Sequence, residues 1–151
     1  MQVYVRQSIQ EDIDYLVNNL RPEDREEVIA SHGSTKEALQ TGFDISEECW
    51  TFLVKETDEI AGIYGVARES DMVGCIWLLS TPAITKVWLP FLRQSKKVTQ
   101  QLNKKYAILT NAVDADYTLS IKWLKFLGFT FIKKHDKYGE GTKPFLEFVR
   151  I

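Results

Sequence analysis

The sequence predicts an α+β domain on a mixed, mostly antiparallel sheet of about six to seven strands, with one parallel pair at its centre and helices on its flanks. Two observations carry this prediction. Residues 75–79 (CIWLL) are apolar without interruption, as in a strand covered on both faces. Residues 91–106 then show helical spacing, and a second strand, 107–113, follows directly. A strand, a helix and a strand in this order predict a parallel pair with a right-handed crossover.

The size and charge of the chain limit its class. Its 151 residues predict a single domain spanning 1–151. A net charge of −2 argues against a protein that coats nucleic acid. No apolar run approaches the roughly 18 residues that cross a bilayer, so no membrane partner is expected. Cys49 and Cys75 lack the spacing of metal ligands, which predicts free buried thiols, no metal site and a cytoplasmic location.

The elements before the central strand are short. A strand at 3–6 precedes an amphipathic helix, for which Ser8 and Glu11 predict a capping box. A second helix begins at Pro22 and ends at Gly33, and a third short helix follows. Residues 49–54 and 60–67 are then expected to form an antiparallel hairpin.

The remaining strand signals complete the sheet. Gly62 and Gly65 lie inside a strand and predict a bulge. A short helix after residue 117 ends near Gly128, and residues 129–134 and 145–151 form a closing hairpin. A cleft is expected where the central parallel strands diverge.

This order resembles the fold of the GCN5-related N-acetyltransferases. The opening VRQSIQEDIDYLVNNL, the hairpin EIAGIYGV and the ending WLKFLGFTF match the customary elements of that fold over nearly the whole chain. The segments LRPEDREEVIASHG, CIWLLST and NAVDADYTLSIKWLKFLGF also resemble the acetyltransferase-like and internal virion proteins of short-tailed bacteriophages.

The resemblance implies acetyl-CoA as cofactor and an amine of a small molecule or protein as acceptor. The phage resemblance leaves a second hypothesis open. It is a catalytically silent protein of the host cytoplasm or the virion, which acts through a phage or host protein partner. Whether the chain is an enzyme therefore stays open, as does its oligomeric state.

The cofactor loop departs from the family pattern. That family places glycines after the fourth strand, so that bare backbone amides approach the coenzyme's pyrophosphate. Here residues 80–90 contain no glycine and two prolines. The resemblance assigns the pantetheine arm to the strand end and the phosphates to nearby polar or basic side chains. The predicted cofactor residues are Leu78, Leu79, Ser80, Thr81, Thr85, Lys86 and Arg93.

The catalytic positions depart as well. The family carries an asparagine near the start of its last helix and a tyrosine proton donor within it, and counting back from Gly128 puts Tyr117 and Leu124 there. Leucine donates no proton, so Tyr117 and Ser120 are the alternative donors. Glu48, beside Glu47, is the predicted base acting through water. Asp114 and Asp116 follow the second parallel strand and are read equally as site residues or as helix caps.

Overall fold

The computed structural model describes residues 1–139 and 141–151. Within them the chain forms seven strands, five α-helices and one 3-10 helix, and none of these helices is long and apolar enough to cross a membrane. The strands are β1 (Val3–Gln7), β2 (Glu48–Val54), β3 (Ile60–Arg68), β4 (Val73–Ser80), β5 (Ile108–Asp114), β6 (Thr130–His135) and β7 (Phe145–Arg150). The helices are α1 (Gln10–Asn19), α2 (Pro22–His32), α3 (Thr35–Ile45), the 3-10 helix Pro82–Val87, α4 (Trp88–Lys105) and α5 (Thr118–Phe126).

The seven strands form one sheet in the order β1-β2-β3-β4-β5-β7-β6. Five of the neighbouring pairs are antiparallel, and β4 and β5 are the parallel pair. The predicted α+β sheet with a central parallel step is therefore confirmed. Helix α4 makes the crossover between the two parallel strands.

Helices cover both faces of the sheet. Alternate residues of a strand point to opposite faces, and β4 shows this clearly. Trp77 and Leu79 pack with the buried side chains of α1, α2 and α3, whereas Ile76 and Leu78 pack on the α4–α5 side. This second side also holds a row of stacked rings from α4 and α5, formed by Trp88, Phe91 and Trp123.

The start of α1 differs from the predicted capping box. The Ser8 hydroxyl hydrogen-bonds the Thr51 hydroxyl at 2.8 Å instead of capping the helix. Asp12 takes the capping role, because its carboxylate accepts from the Ile9 N–H at 3.0 Å and from Arg6 at 2.6 and 2.8 Å. Burial raises the pKa of Asp12, but these hydrogen bonds outweigh burial and leave the pKa lowered. The helix is thus fixed to β1 through an ion pair that sequence spacing did not indicate.

The glycines of β3 have different roles. The pairing of β2 with β3 skips Ala61, which produces the predicted irregularity beside Gly62. Gly65 serves close packing instead. A Cβ atom there would lie 2.5 Å from the ring of Trp77, so only glycine leaves room for the indole.

Candidate active site

The parallel strands separate after a very short contact. β4 and β5 pair only over residues 73–75 and 108–110. At the vertex of the resulting gap, the Asn111 side-chain amide donates to the Ile76 carbonyl, and the Asn111 side-chain oxygen accepts from the Ala112 N–H at 2.8 Å. Beyond Asn111 the facing edges of the two strands have no strand partner. The cleft expected at this place is therefore present.

Two carboxylates of α2 occupy the wide end of the gap. Asp24 accepts from the Ser80 N–H at 2.8 Å and from the Ser80 hydroxyl at 2.6 Å, at the end of β4. Glu27 accepts from the Asp114 N–H at 3.1 Å, at the end of β5. Residues three apart on a helix lie on one face, so a single helix supplies acceptors to both strand ends. These carboxylates replace the hydrogen bonds that the diverging strands no longer make with each other.

The middle of the β4 edge is left open. Ile76 offers its carbonyl and Ser80 its N–H toward β5. Because backbone groups of a strand alternate between its two neighbours, the N–H and C=O of Leu78 also face the gap. An extended ligand can therefore hydrogen-bond this edge as a short added strand.

A cavity of about 530 Å³ passes through the gap from one face of the sheet to the other. Cavities of this volume are typical of small-molecule sites. On one face α4 and α5 line it, with Thr99, Ser120 and Leu124 among the lining residues. On the other face it is lined by α2 and α3. A recess of about 30 Å³ adjoins it beside the 3-10 helix and shares Leu78, Ser120 and Trp123 with it.

The wide end of the gap is rich in perturbed carboxyl groups. Burial, together with the charges of Asp24 and Asp114, raises the pKa of Glu27 to about 8, against the opposing Asp114 N–H and Lys143. Burial also raises the pKa of Asp24, while hydrogen bonds from Ser80 oppose the rise. Asp114 is 3.0 Å from the Lys143 ammonium. A carboxyl group with a pKa near neutrality inside a cavity is a candidate general base.

The loop after β4 uses its own hydrogen-bonding groups. The Thr81 hydroxyl accepts from the Ala83 N–H at 3.2 Å and donates to the Ile60 carbonyl at 2.6 Å. The Thr81 carbonyl accepts from the Ile84 N–H at 3.1 Å. The 3-10 helix therefore starts with its first amides already bonded, and the loop offers no cradle of free N–H groups to a phosphate.

The predicted cofactor residues fall into two groups. Leu78 and Leu79 line the cavity, and Ser80 lines the adjoining recess. Thr81 is 2% exposed and bonded as described above. Thr85 donates to the Pro82 carbonyl, Lys86 pairs with Glu59 at 2.6 Å, and Arg93 lies on the exposed face of α4. The structure thus brings Leu78, Leu79 and Ser80 to the gap or its recess. Thr81, Thr85, Lys86 and Arg93 line neither space.

The predicted catalytic residues also separate. The Tyr117 hydroxyl donates to Asp24 at 3.1 Å, and Ser120 lines both the cavity and the recess. Glu48 lies at the start of β2, pairs with Lys105 at 2.9 Å and lines neither space. Tyr117 and Ser120 are therefore near the gap, and Glu48 is remote from it.

Asp24 and Glu27 were not among the predicted site residues. They lie in a run of acidic residues that reads as the solvated first turns of a helix. The available signal is weak: both share one helix face with the apolar Val28, which places them toward the core. Their pairing with strand ends 56 and 87 residues away leaves no trace in local spacing.

The strand order, the parallel step and the open gap define a class of fold, that of the GCN5-related N-acyltransferases. The chain is similar to Ard1 from Thermoplasma volcanium, with a TM-score of 0.76 and 12% identity over 100% of this chain and 98% of that chain. It is also similar to a GNAT-family acetyltransferase from Bacillus anthracis, with a TM-score of 0.73 and 9% identity over 100% and 95% of the two chains. A chain of the NatC complex bound to Gag peptide and CoA matches with a TM-score of 0.72 and 8% identity over 99% and 98%. No protein-family model and no curated sequence match the chain, and at these identities the structural likeness establishes the fold alone.

Proposed function

We propose that the protein is an N-acyltransferase that moves an acyl group from a thioester of the acetyl-CoA type to an amine of a small molecule or protein. The observation that carries this proposal is the cavity through the β4–β5 gap, which brings the open backbone edge of Leu78 and the carboxyl group of Glu27 to one space. A structure of this fold that contains CoA supports the choice of donor. In this proposal CoA, when bound, supplies the reactive thioester.

The strand edge orients the donor. A pantetheine arm is extended and carries two amides, so the N–H and C=O of Leu78 are suited to hold it as an added strand. Helices cover the gap on both faces of the sheet. The wide end, where α2 supplies Asp24 and Glu27, is then the place of the reacting carbonyl.

Glu27 acts as the general base in place of the predicted Glu48. As the amine nitrogen attacks the thioester carbonyl, a carbon–nitrogen bond forms, the carbon–sulfur bond breaks, and Glu27 accepts the proton that nitrogen loses. The sulfur leaves with the electron pair and is protonated. Tyr117 and Ser120 are the candidate proton donors to sulfur. Burial and the charge of Asp24 raise the pKa of Tyr117, which keeps its phenol protonated at neutral pH but makes it a weaker acid.

The nucleotide end of CoA fits this chain less well than the arm. The loop after β4 lacks free amides, and Lys86 is already paired with Glu59. Arg93, Lys96 and Lys97 form no ion pair within residues 1–139 and 141–151. These side chains on α4 are therefore the proposed phosphate contacts.

The loop after β4, whose first amides are already hydrogen-bonded within the loop, favours a second candidate function. Together with Leu124 at the place of the family's tyrosine, it fits a protein that keeps the fold without the chemistry. Such a protein would act through contacts with a phage or host protein, in the host cytoplasm or in a virion. The two candidates differ in whether they bind a thioester donor.

Calorimetric titration of acetyl-CoA and of CoA into the wild-type protein tests the proposal. We expect a dissociation constant of about 10 μM, near −7 kcal/mol. The variant Glu27→Gln should retain binding and lose about 10²- to 10³-fold in kcat/KM toward a responsive amine. Glu26→Gln, an exposed neighbour on the same helix, is the matched control and should keep wild-type activity.

The same wild-type protein should show a rate that rises with pH, is half-maximal near pH 8 and levels above that value, because Glu27 must be ionised to accept a proton. An equal loss of activity in Glu26→Gln and Glu27→Gln would remove Glu27 from the mechanism. Absence of heat and of thermal stabilisation at millimolar donor would instead favour the non-enzymatic candidate.

A further inference from the structure

We infer that the donor thioester carries an acyl chain longer than acetyl, and that the part of the cavity between α2 and α3 receives it. This inference rests on the proposed function, and it names the substrate class of the same site. The part concerned, called the α2–α3 limb below, is lined by Val28, Ala38, Leu39, Gly42 and Trp77.

The position of the limb indicates which group enters it. The proposed base, Glu27, lies on the α2 side of the sheet, so the reacting carbonyl must reach that side through the gap. The arm then remains along Leu78, and the group attached to the carbonyl points into the space beneath α3. An acetyl methyl is too small to fill a space whose lining extends from Val28 on α2 to Ala38 and Gly42 on α3.

The lining indicates the chemistry of that group. Val28 and Leu39 are 7% and 2% exposed, and Ala38 and Gly42 add further apolar surface one helical turn apart on α3. The charged lining residues are at the edges: Glu27 of α2 beside the end of β5, and Glu37 exposed on α3. The polar lining residues of the two helices are Ser31, His32 and Thr41. An amine acceptor is attracted to the carboxylates at the wide end, which leaves the uncharged limb to the acyl chain.

One wall of the limb is held open by a fixed side chain. The Trp77 indole lies against Gly65, and its N–H donates to the Ser46 hydroxyl at 2.9 Å. A Cβ atom on Gly42 would be 3.6 Å from the same ring, an ordinary contact distance. The ring therefore keeps one orientation, and residue 42 controls how much of the space beneath α3 stays free.

Calorimetric titration with acetyl-, butanoyl-, hexanoyl- and octanoyl-CoA tests the inference. Each methylene that leaves water for the limb should tighten binding by about fourfold until the limb is full. If acetyl-CoA binds and the longer donors bind equally or more weakly, the inference is overturned while the proposed function stands. If none of the four binds, the proposed function itself fails.

The variants Gly42→Leu and Gly42→Ala show whether any gain arises in the limb. Their readout is the ratio of the acetyl-CoA to the hexanoyl-CoA dissociation constant, with thermal melting as the check on folding. Leucine should bring this ratio down toward one by filling the space, whereas alanine should keep most of the wild-type ratio. A wild-type ratio in Gly42→Leu would mean that the chain binds elsewhere, and would contradict the inference.

Discussion

Glu27 couples proton binding to the stability of the folded protein. Its ordinary pKa is 4.5, and burial raises the pKa in the folded protein to about 8. The folded state therefore holds a proton that the unfolded state releases between these values. The stability that this proton contributes is fully present below pH 4.5 and is lost as the pH rises through 8.

The variant Glu27→Gln should accordingly change the pH dependence of stability. Glutamine can still accept the Asp114 N–H through its side-chain oxygen, but it has no charge to bury. We expect the melting temperature of the variant, relative to wild type, to be higher at pH 9 than at pH 5. Glu26→Gln should show the same difference at both pH values, and an identical pattern in the two variants would contradict this account.

Trp123 carries an unusual buried donor. Its indole N–H is buried without a hydrogen-bond partner among the described residues, which costs about 1 to 3 kcal/mol. Its ring stacks on Phe91 at 5.6 Å. Trp123→Phe removes the unpaired donor and keeps an aromatic ring. The stability lost through poorer packing and the stability gained by removing the buried N–H should nearly cancel.

We expect the free energy of unfolding of Trp123→Phe, measured by urea denaturation, to lie within about 1 kcal/mol of the wild-type value. Phe91→Ala removes the other ring of the stack, and Phe91 is 1% exposed. This variant should lower the free energy of unfolding by about 3 to 5 kcal/mol. A loss of that size in Trp123→Phe would show that the indole N–H has a partner in solution.

At the scale of elements, α2 links parts of the chain that are otherwise separate. Asp24 accepts from Ser80 of β4 and from Tyr117 at the start of α5. Replacement by alanine leaves these donors buried without an acceptor. Asp24→Ala should therefore lower the free energy of unfolding, measured by urea denaturation, by about 3 kcal/mol.

Tyr117→Phe is the matched variant, because it removes one donor together with its need for an acceptor. This variant should lower the free energy of unfolding by about 1 kcal/mol. Equal losses in the two variants would mean that Asp24 stabilises the protein through Tyr117 alone and not through β4.

The bounds of α2 could be predicted from the sequence, but its role could not. Pro22 at the start and Gly33 at the end are local signals, and the helix runs from Pro22 to His32 as expected. The contacts of Glu27 with Asp114 depend on where β5 ends in space. No spacing of residue types within α2 records that position.

The same distinction applies to the loop after β4. The absence of glycine predicted the loss of the family's phosphate cradle, and the amides bonded to Thr81 agree with that reading. The expected replacement ligands Thr85 and Lys86 were chosen by residue type alone. The structure gives these two side chains partners in Pro82 and Glu59, which residue type does not reveal.

For the whole molecule, the order of the strand and helix signals was sufficient to predict the mixed sheet and its parallel pair, because consecutive strands tend to pair. The position of β7 between β5 and β6 was not predicted, because no local signal records it. The prediction of a capping box at Ser8 was wrong, because the Ser8 hydroxyl bonds the Thr51 hydroxyl of β2 instead. The place of the cleft was predicted, but its volume and lining were not, since they depend on how far two strands diverge and on which side chains enter the space between them.

Hydrogen exchange gives a test at this scale. The Leu78 N–H lies in the interior of a strand but faces the gap, so it should exchange faster in the free protein than the N–H of Ile63, which lies in the fully paired β3. A bound donor should slow the exchange of Leu78 selectively. Slow exchange of Leu78 in the free protein would show that its N–H is already bonded.

The short contact between β4 and β5 divides the sheet mechanically into two plates. Four strands form one plate and three form the other, and only residues 73–75 and 108–110 join them by strand pairing. This short paired segment is a hinge that bends more readily than either plate. The angle between the plates is therefore the softest deformation available to the sheet. Asp24 and Glu27 span the far end and resist that bending with hydrogen bonds to each plate. The opening angle should therefore respond to pH, because ionisation of Glu27 adds a negative charge to the contact that α2 makes with the end of β5.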